Sequence, residues 1–164
     1  MNDEVRRLFL FLVFVLVQVL VLNHIHLFGC ATPLLYIYFI ILFPRNYPRW
    51  ALLLWAFVTG LTVDIFSNTP GMAAASLTLT AFLRPFLLNL FVTRESADNL
   101  QPGIRSLGPV KFASFSAILT LTHCLSFFTL EAFSFFHLLH WLGSVGSSFL
   151  LTFVLLYVID NLRK

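Results

Sequence analysis

Two charged residues lie inside otherwise uncharged apolar stretches, and they are the first candidates for a functional role. Asp64 lies in the sequence GLTVDIF at 60–66, and Arg84 lies in AFLRPF at 81–86. A charge in hydrocarbon costs at least about 2.5 kcal/mol on insertion scales, so each one needs a partner or a function. Residues of this kind hold the fold together, contact a partner protein, or handle protons or solutes.

We predict that these two residues have separate partners. Counted from the turn at 67–71, Asp64 and Arg84 differ in depth by about 15 Å at 1.5 Å per residue, which is too far for a direct ion pair. Asp64 can accept hydrogen bonds from this polar turn or cap the start of the following helix. Arg84 can snorkel or bond backbone carbonyls, because Pro85 removes a backbone donor and frees the carbonyl of Ala81.

The other reactive side chains form no catalytic or metal-binding pattern. The histidines His137 and His140 share a helix face at i, i+3, but no carboxylate completes a recognised ligand spacing. The two cysteines, Cys30 and Cys124, form no CxxC pair. The sequence has no GxSxG elbow and no glycine-rich phosphate loop. We therefore expect a protein that is not an enzyme and that holds no metal or cofactor.

The composition predicts that transmembrane helices position these residues. Of 164 residues, 59% are hydrophobic and only 10% are charged, against roughly 25% charged in ordinary soluble domains. A helix of about 20 apolar residues crosses the hydrocarbon of a bilayer. We predict one all-α integral membrane domain over 1–164, a six-helix transmembrane bundle with short loops and a cytoplasmic linker at 93–111. The predicted spans are about 8–28, 32–44, 50–66, 71–92, 112–130 and 138–160.

The second stretch is short for a span. Between Pro33 and Pro44 it offers about a dozen residues, or ~18 Å of helix. It therefore thins the bilayer, borrows polar flanks, or packs inside the bundle as a half-helix. Charge placement nevertheless favours a crossing with both termini in the cytoplasm. In that topology nine of the ten Lys and Arg residues fall in cytoplasmic segments and none falls in an outer loop, as the positive-inside rule requires.

Small residues on two of the predicted helices favour close helix packing. The sixth span contains Gly143 and Ser147 four residues apart, and Gly71 opens the alanine-rich fourth span. Such residues let helix backbones approach each other where lipid offers no hydrophobic driving force. They either close the bundle internally or hold a second subunit, so a homodimer is one of the arrangements they allow.

The region around Asp64 resembles a known family. The sequence GLTVDIFSNTPG runs from Gly60 to Gly71, and the small-residue run MAAAS follows at 72–76. The first helix ends at Asn23, and PLLY opens the second stretch at 33–36. This pattern is similar to the bacterial rod shape-determining protein MreD family. The likeness extends over nearly the whole chain in its size, short loops and number of spans.

The resemblance implies a non-enzymatic scaffold of the cell-elongation machinery that makes peptidoglycan at the bacterial inner membrane. Its implied partners are an MreC-like protein, MreB filaments, and a glycan polymerase with its transpeptidase. It also implies a bundle similar to the substrate-binding subunits of vitamin transporters. That fold supplies an alternative function, a small-solute-binding subunit of a transporter. Its outward pocket would use His24, His26, His123, His137 and Trp141.

The basic residues of the predicted cytoplasmic surface have two interpretations. They are topology signals alone, or they also contact anionic membrane lipid or a cytoplasmic partner. Because they are scattered in ones and twos, we expect no nucleic-acid partner. These residues are Arg45, Arg49, Arg94, Arg105 and Lys111.

Overall fold

The computed structural model of the protein describes residues 2–24, 33–132 and 137–163. Throughout this part of the chain the secondary structure is helical and contains no strand, so the predicted all-α class is confirmed. A 3-10 turn at Leu22–His24 follows the first helix. The α-helices are α1 (Asp3–Leu20), α2 (Ile37–Ile41), α3 (Arg49–Ser67), α4 (Met72–Phe91), α5 (Ile104–Leu107), α6 (Pro109–Ala132) and α7 (Leu138–Leu162).

Four of the described helices, α3, α4, α6 and α7, are long and apolar enough to cross a membrane. They contain 19 to 25 residues, which corresponds to about 28–38 Å at 1.5 Å per residue. This is consistent with a multi-pass membrane protein. Helix α1 is an 18-residue helix that begins with the charged residues Asp3, Glu4, Arg6 and Arg7, and it is not one of the four. The count of six crossings stays a prediction.

The helices surround one short piece of chain, residues 33–44, which we call the central segment. Helix α3 packs against α1 and α4, α4 packs against α6, and α6 packs against α7. Within the central segment, α2 contacts α1, α3, α4 and α6. Every side chain from Leu34 to Phe43 is at most 8% exposed. The second apolar stretch of the sequence is therefore the centre of the bundle.

The central segment packs inside the bundle, which is one of the three arrangements that its short length allows. Only Ile37–Ile41 is α-helical. A helix this short leaves most of its backbone N–H and C=O groups without a partner of its own. Inside a membrane bundle the surrounding protein must supply those partners. The described structure meets this requirement with polar side chains from the longer helices.

Four chain segments meet at one end of the bundle, which we call the basic end: residues 2–7, 44–49, 93–108 and 163. The N–H of Arg45 donates to the carbonyl of Leu100 at 2.9 Å. Arg163 Nη2 donates to Gln101 Oε1 at 3.1 Å. Arg7, near the start of α1, lines a cavity together with Gln101. The start of α1 and the end of α7 therefore lie beside the same linker.

Candidate functional site

Asp64 caps the start of α4. Its Oδ1 accepts hydrogen bonds from Thr69 Oγ1 at 2.8 Å and from the N–H of Ala73 at 2.9 Å, and its Oδ2 accepts one from the N–H of Ala74 at 2.9 Å. Because α4 begins at Met72, these two N–H groups are among the four that have no acceptor within the helix. The helix dipole also favours a carboxylate there. The predicted cap is confirmed.

Gly60 lies one turn before Asp64 and lets α3 and α4 come close together. A Cβ atom at Gly60 would lie 2.5 Å from the Cα of Ala74 and 2.7 Å from the carbonyl oxygen of Ala73. Real Cβ atoms do not come this close to backbone, so only glycine fits this crossing. The close approach brings the Asp64 carboxylate within hydrogen-bond distance of the α4 N-terminus. Gly60 and Asp64 thus form one structural unit.

Gly71 and Asn23 are two other predicted site residues, and they differ in what the structure shows of them. Gly71 has a φ of 78°, and no described atom would lie within 4 Å of a Cβ there. Glycine is needed at Gly71 for its left-handed backbone conformation, and close packing plays no part. Asn23 lies in the 3-10 turn after α1. Its side chain is outside the described part of the structure.

Arg84 holds the end of α2. Its side chain is only 1% exposed, and Nη2 donates to the carbonyl oxygens of Ile41 at 3.2 Å and of Phe43. The prediction that Arg84 bonds carbonyls is confirmed. The expected acceptor, the carbonyl of Ala81 beside Pro85, is wrong. Arg84 points into the core, where the short helix α2 ends and leaves its last carbonyl groups unpaired.

Asp64 and Arg84 do not contact each other. Across the described residues, the hydrogen bonds of Asp64 stay within the turn and the start of α4, whereas those of Arg84 go to the central segment. This confirms the prediction of separate partners.

Gln18 and Thr152 hold the beginning of the central segment. Gln18 Nε2 donates to the carbonyl of Pro33 at 2.8 Å, and Gln18 Oε1 accepts from the N–H of Leu35 at 2.9 Å. Between them, the N–H of Leu34 donates to Thr152 Oγ1 at 3.0 Å. Neither polar residue stood out in the sequence. The available signal was a glutamine in the apolar part of the first helix, because a buried amide needs partners.

Asp160 is buried in the bundle, as are the charged residues Asp64 and Arg84. It was not identified from the sequence. Its Oδ1 accepts a hydrogen bond of 2.7 Å from Tyr38 Oη, and its Oδ2 accepts one of 2.7 Å from the N–H of Ile104. The side chain therefore joins α7, the central segment and the 93–108 linker. The signal was present, since Asp160 falls at the end of the last predicted span.

His123 lies in the core of the bundle. Its Nε2 is 2.9 Å from Tyr36 Oη, and both side chains are fully buried. His123, one of the residues named for the alternative outward pocket, therefore packs against the central segment. In the described residues no group of three His, Cys, Asp or Glu side chains is placed to hold a metal ion.

The small residues of α7 divide between two faces. Ser144 and Ser148 are buried, whereas Gly143 and Gly146 are exposed and Ser147 is half-buried. No described atom would lie within 4 Å of a Cβ at either glycine. The Ser147 hydroxyl donates to the carbonyl of Gly143 within the same helix. Within the described chain, the predicted pair Gly143 and Ser147 therefore faces outward.

Comparisons of this chain with protein-family models, with curated proteins and with solved structures found no match. The Asp64 cap, the polar side chains around the central segment and the outward small face of α7 are the features from which a function is inferred.

Proposed function

We propose that this chain is a non-enzymatic scaffold of the cell-elongation machinery, acting through helix contacts with partner membrane proteins to help determine rod cell shape. The observation that carries the proposal is the outward face of α7, where no described atom would lie within 4 Å of a Cβ at either of two glycines. The resemblance of residues 60–76 to the MreD family supplies the biological setting.

The buried polar groups support a structural role because they are engaged within the bundle. Gln18, Arg84 and Asp160 all bond the central segment, two of them through its backbone. Asp64 bonds the start of α4. Each bond joins two different structural elements, so together they fix the relative positions of the helices. A rigid bundle is what a scaffold needs to present a constant surface.

The outward face of α7 supports contact with another transmembrane helix. Gly143 and Gly146 leave a shallow groove, and the neighbouring Leu139 and Leu150 are 87% and 65% exposed. Lipid tails are as apolar as leucine, so helices in a membrane associate through close backbone approach at small residues. We propose an MreC-like protein as the occupant of this face, with the polymerase, transpeptidase and MreB filaments joining through the same assembly. A second copy of the chain is the competing occupant.

The basic end supports six crossings with both termini in the cytoplasm of a bacterial inner membrane. Residues 2–7, at the start of α1, and residues 44–49 lie at this same end. The chain starts at this end in α1 and is at the same end again at residue 44. The chain between these points therefore runs away from this end and back to it. Arg6, Arg7, Arg45, Arg49 and Arg163 all belong to this end, and the positive-inside rule assigns such an end to the cytoplasm.

Depletion and complementation test the proposal in a rod-shaped bacterium that encodes the chain. Depletion is expected to round the cells. A Gly143→Leu/Gly146→Leu variant fills the outward groove, so it is expected to reach the membrane at normal levels but to restore rod shape poorly. Ile65→Trp adds bulk to an exposed position of α3 and serves as the matched control. Full restoration of shape by the double variant contradicts the assignment of the α7 face.

Co-purification from detergent distinguishes the scaffold from the transporter alternative. Recovery of an MreC-like protein with the wild-type chain, and its loss with the Gly143→Leu/Gly146→Leu variant, is the expected result. Recovery of an energy-coupling ATPase complex, together with unchanged cell shape and lost vitamin uptake, replaces the scaffold with the solute-binding subunit.

A further inference from the structure

A second cavity at the basic end, of about 320 Å³, is lined by three arginines. It lies between the 44–48 loop, the start of α3 and the last turns of α4. Arg45, Arg49 and Arg84 contribute three positive charges, and Asp98 contributes the single negative charge of the lining. The cavity therefore carries a net charge of 3 − 1 = +2.

Arg84 brings an incompletely satisfied charge to this cavity. Its Nη2 bonds two carbonyls, but its Nε is buried and has no hydrogen-bond partner among the described residues. Arg84 forms no ion pair with any described residue. A buried cation without a counter-charge is strongly unfavourable, and neutral carbonyls offset only part of the cost. An anion in the adjoining cavity would supply the missing charge.

The start of α3 adds to the positive potential. Its N-cap is Pro48, which provides no side-chain cap, and its first turn has no acidic residue. The free N–H groups and the helix dipole therefore point positive charge into a region that already holds Arg49. Arg49 is kept beside α4 by the Phe86 ring, whose centroid is 5.4 Å from its guanidinium carbon. Arginines and a helix N-terminus together are a frequent setting for phosphate.

We propose that this cavity binds the phosphate of an anionic phospholipid of the cytoplasmic leaflet. The opening lies at the ends of α3 and α4, two helices that are long enough to span a membrane. In the proposed topology this is the depth of the lipid headgroups. Trp50 and Leu90 follow directly on the lining residues Arg49 and Asn89, and they are 72% and 77% exposed. They provide an apolar surface for acyl chains beside the charged cavity. A zwitterionic lipid also has a phosphate, but its ammonium group opposes the net positive charge of the lining.

The inference rests on the membrane placement in the proposed function and not on the cell-shape role. Lipid binding is measured on the purified chain, so its failure leaves the cell-shape test unaffected. Failure of the cell-shape test or of the co-purification test, in turn, leaves the lipid-binding proposal unaffected.

Native mass spectrometry of the full chain in detergent tests the proposal. Phosphatidylglycerol and phosphatidylcholine with the same acyl chains are titrated against wild type, Arg45→Gln/Arg49→Gln and Arg94→Gln/Arg105→Gln. The control pair removes the same charge from exposed positions of the same end that do not line the cavity. We expect wild type to prefer phosphatidylglycerol. We expect the cavity pair to lose roughly 10- to 30-fold in its affinity, and the control pair to lose much less.

Three results overturn the proposal. Equal losses in both double variants mean that the lipid responds to overall charge and not to this cavity. Equal affinity of wild type for the two lipids removes the requirement for an anion. Displacement of phosphatidylglycerol by millimolar inorganic phosphate, with retention of phosphate by the protein, identifies a soluble phosphate as the ligand instead. Arg49→Gln alone, at an exposed position, repeats the test with a variant that does not disturb the core.

Discussion

Tyr38 Oη donates a 2.7 Å hydrogen bond to Asp160 Oδ1, across 122 positions of the chain. The bond connects the short helix α2 to the last turns of α7. The other carboxylate oxygen of Asp160 accepts from the N–H of Ile104, at the start of α5. One side chain thus fixes the central segment, the last helix and the linker at the basic end. Its loss should affect the whole bundle, because none of these elements is adjacent in sequence.

Tyr38→Phe is expected to destabilise the protein by about 1–3 kcal/mol. The substitution keeps the ring in the core but removes the hydroxyl, which leaves a buried carboxylate oxygen without its donor. The measurement is the free energy of unfolding by SDS titration in detergent. Tyr157→Phe is the control, since Tyr157 is half-buried on α7, the helix that carries Asp160, and no described hydrogen bond involves its hydroxyl. If both variants unfold like wild type, Tyr38 and Asp160 do not hold the bundle together.

Gly60→Ala is expected to cost about 1–3 kcal/mol of stability through overpacking. The added methyl group would lie 2.5 Å from the Cα of Ala74, so α3 and α4 must separate. Separation also lengthens the hydrogen bonds from Asp64 to the start of α4. Gly143→Ala is the matched control, because no described atom would lie within 4 Å of its new Cβ. Glycine has the lower helix propensity, so this control is expected to be neutral or slightly stabilising.

Asp64→Ala and Arg84→Ala are expected to have additive effects. The first removes a helix cap, at a cost of about 1–2 kcal/mol. The second leaves the carbonyls of Ile41 and Phe43 unpaired, at about 1–3 kcal/mol. Since the two side chains have different partners, the double variant should lose the sum to within roughly 0.5 kcal/mol. A loss well below or above the sum in SDS titrations shows that the two residues are energetically coupled.

The sequence predicts the Asp64 cap because cause and effect are close together in the chain. Asp64, the turn and the start of α4 lie within 11 residues, and a carboxylate before a helix N-terminus has few alternatives. The sequence also predicts that Arg84 bonds carbonyls, with the nearby carbonyl of Ala81 as the acceptor. The true acceptors lie 41 and 43 residues away. Their availability depends on α2 ending beside α4, which is a property of the packing.

The central segment shows why the remaining contacts could not be predicted from the sequence. Its apolar residues predict burial, and its length predicts that it cannot form an ordinary span. Which side chains satisfy its backbone depends on tertiary packing, and Gln18, Thr152 and Asp160 come from opposite ends of the chain. The division of the α7 small residues into an inward and an outward face likewise depends on how that helix is rotated in the bundle.

Cysteine labelling is expected to place the start of α1 and the end of the central segment on the same side of the membrane, as six crossings require. In a chain with Cys30 and Cys124 replaced by alanine, single cysteines are introduced at Asn2, Asn46 and Pro70, all of which are exposed. Because residues 2–7 and 44–49 share the basic end, a membrane-impermeant maleimide should label Asn2→Cys and Asn46→Cys only from the cytoplasmic side.

Pro70→Cys provides the internal control, since it lies in the turn at the far end of α3. It should be labelled only from the opposite side in intact spheroplasts. Labelling of positions 2 and 46 from opposite sides contradicts the six-span topology, because the chain between them would then cross the membrane an odd number of times. Labelling of both from the outside reverses the orientation and leaves the positive-inside interpretation of the arginines without support.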